Sequence, residues 1–129
     1  MDKTQALHSF WSSFNIPAID EQSAYDEGVL ESLGVPKRYI TYEAATSNLG
    51  DALALTASIW DKSTSWAWIT QKADEIAAYI GYGGRVLPVD GGYLWIKLGS
   101  PFARRMSDEN NYDLRRIYLT ISAEYLTAV

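Results

Sequence analysis

Between Trp66 and Ile80, apolar side chains recur at Trp66, Ile69, Ala73, Ile76, Ala77 and Ile80, a spacing that puts them on one face of a helix. Gln71, Lys72, Asp74 and Glu75 occupy much of the remaining face. A helix with one apolar stripe needs another layer to cover it, so the rest of the chain has to supply a sheet. The polar run Asp61 to Ser65 offers candidate N-caps ahead of this helix, and Gly81, Gly83 and Gly84 stop it.

The flanking segments read as strands of that sheet. Tyr39 to Thr46 is rich in aromatic and β-branched residues, Ser47 to Gly50 has turn chemistry, and Ala52 to Trp60 alternates Leu53, Leu55, Ala57 and Ile59 with smaller residues. So short a connection predicts an antiparallel pair, since a parallel crossover needs about a dozen residues or more. Arg85 to Val89 and Tyr93 to Leu98 form a second hairpin around Asp90-Gly91-Gly92. Pro88 donates no amide and assigns its strand to an edge or a bulge. Leu94, Ile96 and Leu98 face the core and Tyr93, Trp95 and Lys97 the other side. Gly99-Ser100-Pro101 is expected to end this hairpin, with a polar connecting loop from Arg104 to Asn111 and a last strand from Arg116 onward. At the start, Leu7, Phe10, Trp11 and Phe14 share one face of a short helix over Lys3 to Phe14, while residues 15 to 38 carry the weakest pattern. The expected fold is α+β: a mostly antiparallel sheet with helices packed on one face, in a single domain over residues 1–129.

Composition narrows the function. Hydrophobic residues are 47% of the chain and charged residues 21%, enough apolar material for a packed core. Sixteen acidic against eleven basic side chains give a net charge of -5, which repels nucleic acid at long range, and no specific nucleic-acid binding is expected. The absence of cysteine excludes disulfides, thiolate catalysis and cysteine-held metals. No apolar run reaches the roughly 18–20 residues of a membrane span, and the polar start is unlike a signal peptide; no membrane partner and a cytoplasmic folding environment are expected.

No set of residues makes a convincing catalytic site, so neither an enzyme nor a cofactor is expected. His8, the one histidine, lies between Leu7 and Phe10 in the short helix, where a structural or surface role is expected rather than base catalysis or metal ligation. Asp20, Glu21, Asp26 and Glu27, and separately Asp108, Glu109 and Asp113, are acidic groups without the ordered spacing of a calcium loop. Gly81 to Gly84 follow a helix rather than opening one, the wrong orientation for a phosphate cradle. Arg104, Arg105, Arg115 and Arg116 with Phe102, Tyr112 and Tyr118 are the basic and aromatic residues that interleave. Such a set suits a protein interface, ordinary packing or, less well in so acidic a chain, nucleic acid. Five tryptophans and nine tyrosines add to the surfaces suited to partners.

Four ordered segments carry a resemblance: Tyr39-Ile40-Thr41-Tyr42-Glu43; Leu55 to Trp60; Ser65 to Ile76, reading Ser65-Trp66-Ala67-Trp68-Ile69 at its start; and Trp95-Ile96-Lys97 leading through Gly99-Ser100-Pro101-Phe102 to Asp108. Together, over roughly Tyr39 to Tyr125, the chain resembles the small tail-completion or tail-terminator proteins of long-tailed phages, also known as minor capsid proteins. The resemblance implies a virion subunit forming a hexameric ring at the head-proximal end of the tail. Its partners would be further copies of itself, the tail-tube protein and the head-tail connector. It makes Gly99 to Asp108 an assembly loop in which Arg104 and Arg105 pair with acidic groups of a neighbour. The candidate interface residues are Tyr93, Trp95, Phe102, Arg104, Arg105, Met106, Asp108 and Arg115. A head-completion or connector protein on the portal side is the alternative within assembly. A small-ligand module or compact enzyme is the alternative outside it, and would need convergent polar groups in a concavity.

Overall fold

A computed structural model describes residues 1–24, 37–44, 52–106 and 113–127. In chain order the elements are α1 (Lys3–Ser12), β1 (Ala18–Asp20), α2 (Glu21–Ala24), β2 (Arg38–Tyr42), β3 (Leu53–Asp61), α3 (Ala67–Ile80), β4 (Arg85–Val89), β5 (Gly92–Met106) and β6 (Arg115–Thr127). The strands form one six-stranded sheet in the order β1-β2-β3-β6-β5-β4. The fold is α+β and the sheet dominates it.

Two features correct the expected layout. The sheet is mixed rather than mostly antiparallel, because β1 pairs in parallel with β2, Ala18 opposite Ile40 and Asp20 opposite Tyr42. A three-residue strand directly after Pro17 is too short to show periodicity in sequence. The helices also do not form a simple layer over one face. α1 touches both β1 and β4, the opposite edges of the sheet, so the sheet curves and α1 bridges its opening. The amide of Asp90, at the β4–β5 turn, donates to the Met1 carbonyl at 2.8 Å and ties the start of the chain to that far edge.

Local chemistry accounts for α1. The Asp2 carboxylate accepts from the Gln5 amide at 2.7 Å, and the Gln5 side chain accepts from the Asp2 amide at 3.0 Å, a reciprocal capping box. Leu7, Phe10, Trp11 and Phe14 are buried as their spacing predicts. Trp11 stacks on Tyr42 of β2 with ring centres 6.5 Å apart, and Phe10 meets Phe14 edge-on at 5.5 Å. The other long helix, α3, buries Ile69, Ala73, Ile76 and Ile80 against β3, β5 and β6. Leu55, Ala57 and Ile59 from β3, Leu94 and Ile96 from β5, and Ile117, Leu119 and Ile121 from β6 complete that core. The antiparallel β2–β3 pair and the β4–β5 hairpin form as expected, with Pro88 on the edge strand. The turn expected at Ser47 to Gly50 lies outside the described residues.

The predicted loop after Leu98 is a strand instead. Leu98 pairs with Ile121 and Ala103 with Leu119, so Gly99, Ser100, Pro101 and Phe102 face the single β6 residue Thr120 as a bulge, and pairing then resumes to Met106. The polar composition concealed this because Arg104, Arg105 and Met106 carry no apolar alternation and are held in the strand by pairing with β6. At the bulge the two strands approach closely. A side-chain carbon on Gly99 would lie 2.5 Å from the Thr120 carbonyl oxygen, so only glycine fits. Gly99→Ala is therefore expected to destabilise the fold by about 1–3 kcal/mol, measured as a lower urea midpoint with unchanged slope.

His8 has the structural role expected of it. Its Nδ1 and the Tyr42 hydroxyl share a hydrogen bond of 2.9 Å, and its Nε2 lies 3.3 Å from Ser12 Oγ. Burial, with a smaller contribution from the Asp20 carboxylate, raises the Tyr42 phenol above its ordinary value. The unfolded phenol ionises at about pH 10 while the folded one keeps its proton, so this contribution is whole below about pH 10 and is lost as pH rises through the folded value. Tyr42→Phe should flatten the fall in stability between about pH 9 and about pH 11, followed by urea unfolding at each pH.

Candidate functional site

The β-sheet register gathers Arg38, Arg115 and Arg116 with Trp60 at one end. Arg38 of β2 is opposite Asp61 of β3, which is opposite Arg115 of β6. In the next row Tyr39, Trp60, Arg116 and Met106 follow one another across β2, β3, β6 and β5. The start of α3 lies over the same end, bringing Trp66 and Trp68 with it.

Arg38, Arg105, Arg115 and Arg116 each lie against an aromatic ring. Trp66 is flanked by two, with the guanidinium carbons of Arg105 and Arg115 at 4.9 and 5.2 Å from its ring centre. Arg105 also donates to Thr70 Oγ1 at 3.3 Å, and Arg115 to the Thr64 carbonyl at 2.9 Å. On the outer face Arg116 lies 4.7 Å over Trp60 and donates to Ser58 Oγ at 3.0 Å. Trp60 stacks on Tyr39 at 6.0 Å and donates to Thr41 Oγ1 at 3.0 Å. Arg38 lies 4.2 Å over Trp68, and its Nε donates to Asp61 Oδ1 at 3.2 Å. Such contacts contribute about 0.5–1 kcal/mol each where solvent reaches them, and they fix the direction of otherwise mobile side chains.

The structure brings some of the expected interface residues together and separates others. Arg104, Arg105 and Met106 are exposed on the last stretch of β5, with Arg104 opposite Tyr118 and Met106 opposite Arg116, and Arg115 is close by through Trp66. Phe102 is half-buried against the core. Tyr93 and Trp95 are on the other side of the bulge, near β4. Tyr93 is exposed, whereas Trp95 is half-buried, donates to the Gly83 carbonyl at 3.0 Å and carries Lys97 over its ring at 3.5 Å. Asp108, with Glu109 and Tyr112, lies outside the described residues, as do Asp26 and Glu27.

Asp61 and Trp66 have parts that the sequence did not reveal. Asp61, grouped with the helix caps, is instead the last residue of β3 and is buried at 1% exposure. The turn into α3 is made by Ser63 and Ser65, whose hydroxyls accept from the amides of Ser65 and Ala67. Trp66, counted in the apolar stripe of α3, packs on the core from one side and carries two arginines on the other. Both roles depend on contacts distant in sequence, Asp61 with Arg38 of β2 and Trp66 with Arg105 of β5 and Arg115 of β6.

Away from the arginines, Asp20, Glu21, Gln22 and Glu43 line a shallow depression beside β1, and Asp20 Oδ1 accepts from the Gln22 amide at 2.9 Å. Among the described residues no three histidine or acidic side chains are grouped to hold a metal ion.

No protein-family model matches the chain, and no curated protein matches it in sequence. In fold it is similar to a chain in the solved structure of the virion of a native gene transfer agent particle. The TM-score is 0.51 with 17% sequence identity, over 92% of this chain and 83% of that chain. At that identity the likeness is one of fold.

The Arg38–Asp61 pair tests how this end of the sheet is held. Asp61→Ala leaves the guanidinium its stacking on Trp68 but removes its buried acceptor. A loss of about 1–3 kcal/mol is expected, less than for a fully buried pair because Arg38 is itself about one-third exposed. Urea unfolding of the variant measures this directly.

Proposed function

We propose that the chain is a structural virion-assembly protein, a single domain over residues 1–129 without catalytic function. It caps the head-proximal end of a phage tail tube as an oligomeric ring and presents a head-tail joining surface. Its partners are copies of itself, the tail-tube protein and the head-tail connector, and its final location is the virion. The observation that carries this reading is the likeness of fold, over 92% of the chain, to a chain of a gene transfer agent virion. It agrees with the resemblance of the Tyr39 to Tyr125 segments to tail-terminator proteins.

The surface chemistry supports the same role. Arg104, Arg105, Met106 and Arg115 form a contact patch in which Trp66 and Thr70 already fix the direction of Arg105, and Trp66 that of Arg115, so these two have little side-chain freedom to lose when a partner docks. Tyr93 and Trp95 form a second patch across the bulge. No helix among the described residues is long and apolar enough to cross a membrane.

Light scattering coupled to size separation is expected to give the mass of a ring. The ring should loosen as salt rises, because exposed charge pairs are screened within about 8 Å at physiological ionic strength. Arg104→Ala with Arg105→Ala should shift the ring toward smaller species while leaving the circular dichroism spectrum unchanged. A chain that stays monomeric at high concentration and binds neither tail-tube protein nor connector would overturn the proposal.

A further inference from the structure

Besides the outer edge of β4, two strand edges have no partner among the described residues, and they lie at the same level. β4 covers β5 only from Gly92 to Ile96. Beyond the bulge, Ala103 to Met106 pair with β6 on one side, and no described strand pairs with them on the other. At the opposite end of the sheet β1 pairs with β2 on one side, and no described strand pairs with it on the other. The intervening pairs place these edges row by row. Ala18 shares a row with Ile40, Ile59, Ile117 and Arg105; Ile19 shares one with Thr41, Ser58, Tyr118 and Arg104; Asp20 shares one with Tyr42, Ala57, Leu119 and Ala103.

Their charges are complementary. The β5 edge carries Arg104 on one face and Arg105 on the other. The β1 edge ends in Asp20 and Glu21, with Glu43 alongside. Open edges are normally blunted against pairing, and like charges on Arg104 and Arg105 oppose the pairing of two β5 edges. The same arginines favour an acidic edge. Pro101, which has no amide to donate, limits the open run to the residues after it, a length that suits a strand of three residues.

We infer that the open edge of β5, at Ala103 to Met106, receives β1 of a second copy of this chain, joining the two sheets edge to edge. This rests on the ring reading above and names the contact that makes the ring. The two surfaces differ, so the contact is head to tail, the type that closes into a ring when the rotation allows. Rotation about an axis along the strands keeps rows level and directions unchanged, so the incoming β1 runs antiparallel to β5 with Asp20 beside Ala103. Asp20 then shares a face with Arg105 at the diagonal position, within reach of a long side chain. Backbone hydrogen bonds supply the attraction and the charges choose the edge.

Charge reversal on each edge, alone and in mixture, tests this in the full chain. Arg104→Glu with Arg105→Glu makes both edges acidic, and Asp20→Lys with Glu21→Lys makes both basic. Each variant alone should be monomeric, whereas an equimolar mixture should recover ring mass with the two variants alternating. Wild-type rings with both variants still assembling alone, or a mixture that stays monomeric, would overturn the edge contact and leave the ring itself standing. A monomeric wild type would overturn the ring and the contact together. Hydrogen exchange on the wild type gives a readout that does not depend on folding of the variants. Amides of Ala103 to Met106 and of Ala18 to Asp20 should exchange at least tenfold more slowly in the ring than in dilute monomer, and protection confined to other segments would overturn the inference.

Discussion

The pairing of β6 with β3 on one side and β5 on the other holds the rest of the structure in place. Its thirteen residues run through the middle of the sheet, and every other strand is positioned through it. Alternation along β6 sends Ile117, Leu119, Ile121 and Ala123 into the core and leaves Arg116, Tyr118, Thr120 and Ser122 on the outer face. A shift of one residue would bury Arg116 and expose the isoleucines, so the hydrophobic pattern fixes the register strongly. That register in turn decides which charged residues meet. In the register adopted, Asp61 faces Arg115 and Trp60 faces Arg116.

The bulge in β5 follows from the same constraint. β6 continues straight through Thr120, while β5 has to accommodate Gly99, Ser100, Pro101 and Phe102 against that one residue. Glycine at the closest approach allows the extra residues to leave the plane without separating the strands. The consequence is a strand with two kinds of edge. Before the bulge β5 is covered by β4, whose own outer edge carries Pro88; after it, no described strand covers that side of β5, which carries two arginines. One irregularity therefore divides a structural half of the strand from a half suited to contact.

What the sequence made legible was the part of the fold with local periodicity. The α3 stripe of Ile69, Ala73, Ile76 and Ile80, the spacing of Leu7, Phe10 and Trp11 on α1 with Phe14 just beyond it, and Leu55, Ala57 and Ile59 of β3 are each visible within about four turns or a few residue pairs, and these residues are buried as read. β1 was not legible, since three residues after a proline carry no period. The extension of β5 to Met106 was not legible either, because Arg104, Arg105 and Met106 are strand residues by virtue of their pairing with β6 rather than by composition. The candidate surface divides in the same way. Its residue types were evident from the arginines and aromatics, but Arg115 and Arg105 meet on Trp66 only through tertiary packing.

The net charge of -5 gives these arginines their significance. In an acidic chain with its charges evenly mixed, an arginine pair on an edge would be neutralised by its own neighbours. Here Arg38 is occupied by Asp61 and Trp68, and Arg116 by Ser58 and Trp60, so both are engaged within the chain. Arg104 and Arg105 differ: Arg105 has Thr70 and the face of Trp66, neither of which is a carboxylate, and the described structure gives Arg104 no ion pair. Asp20 and Glu21 likewise have no cation partner among the described residues. Opposite charges with no ion pair among the described residues, on edges of one sheet, are kept apart within a chain, since β2, β3 and β6 lie between β1 and β5. A second copy brings them together without rearrangement of either, and this is the physical basis for reading the edges as two halves of one contact.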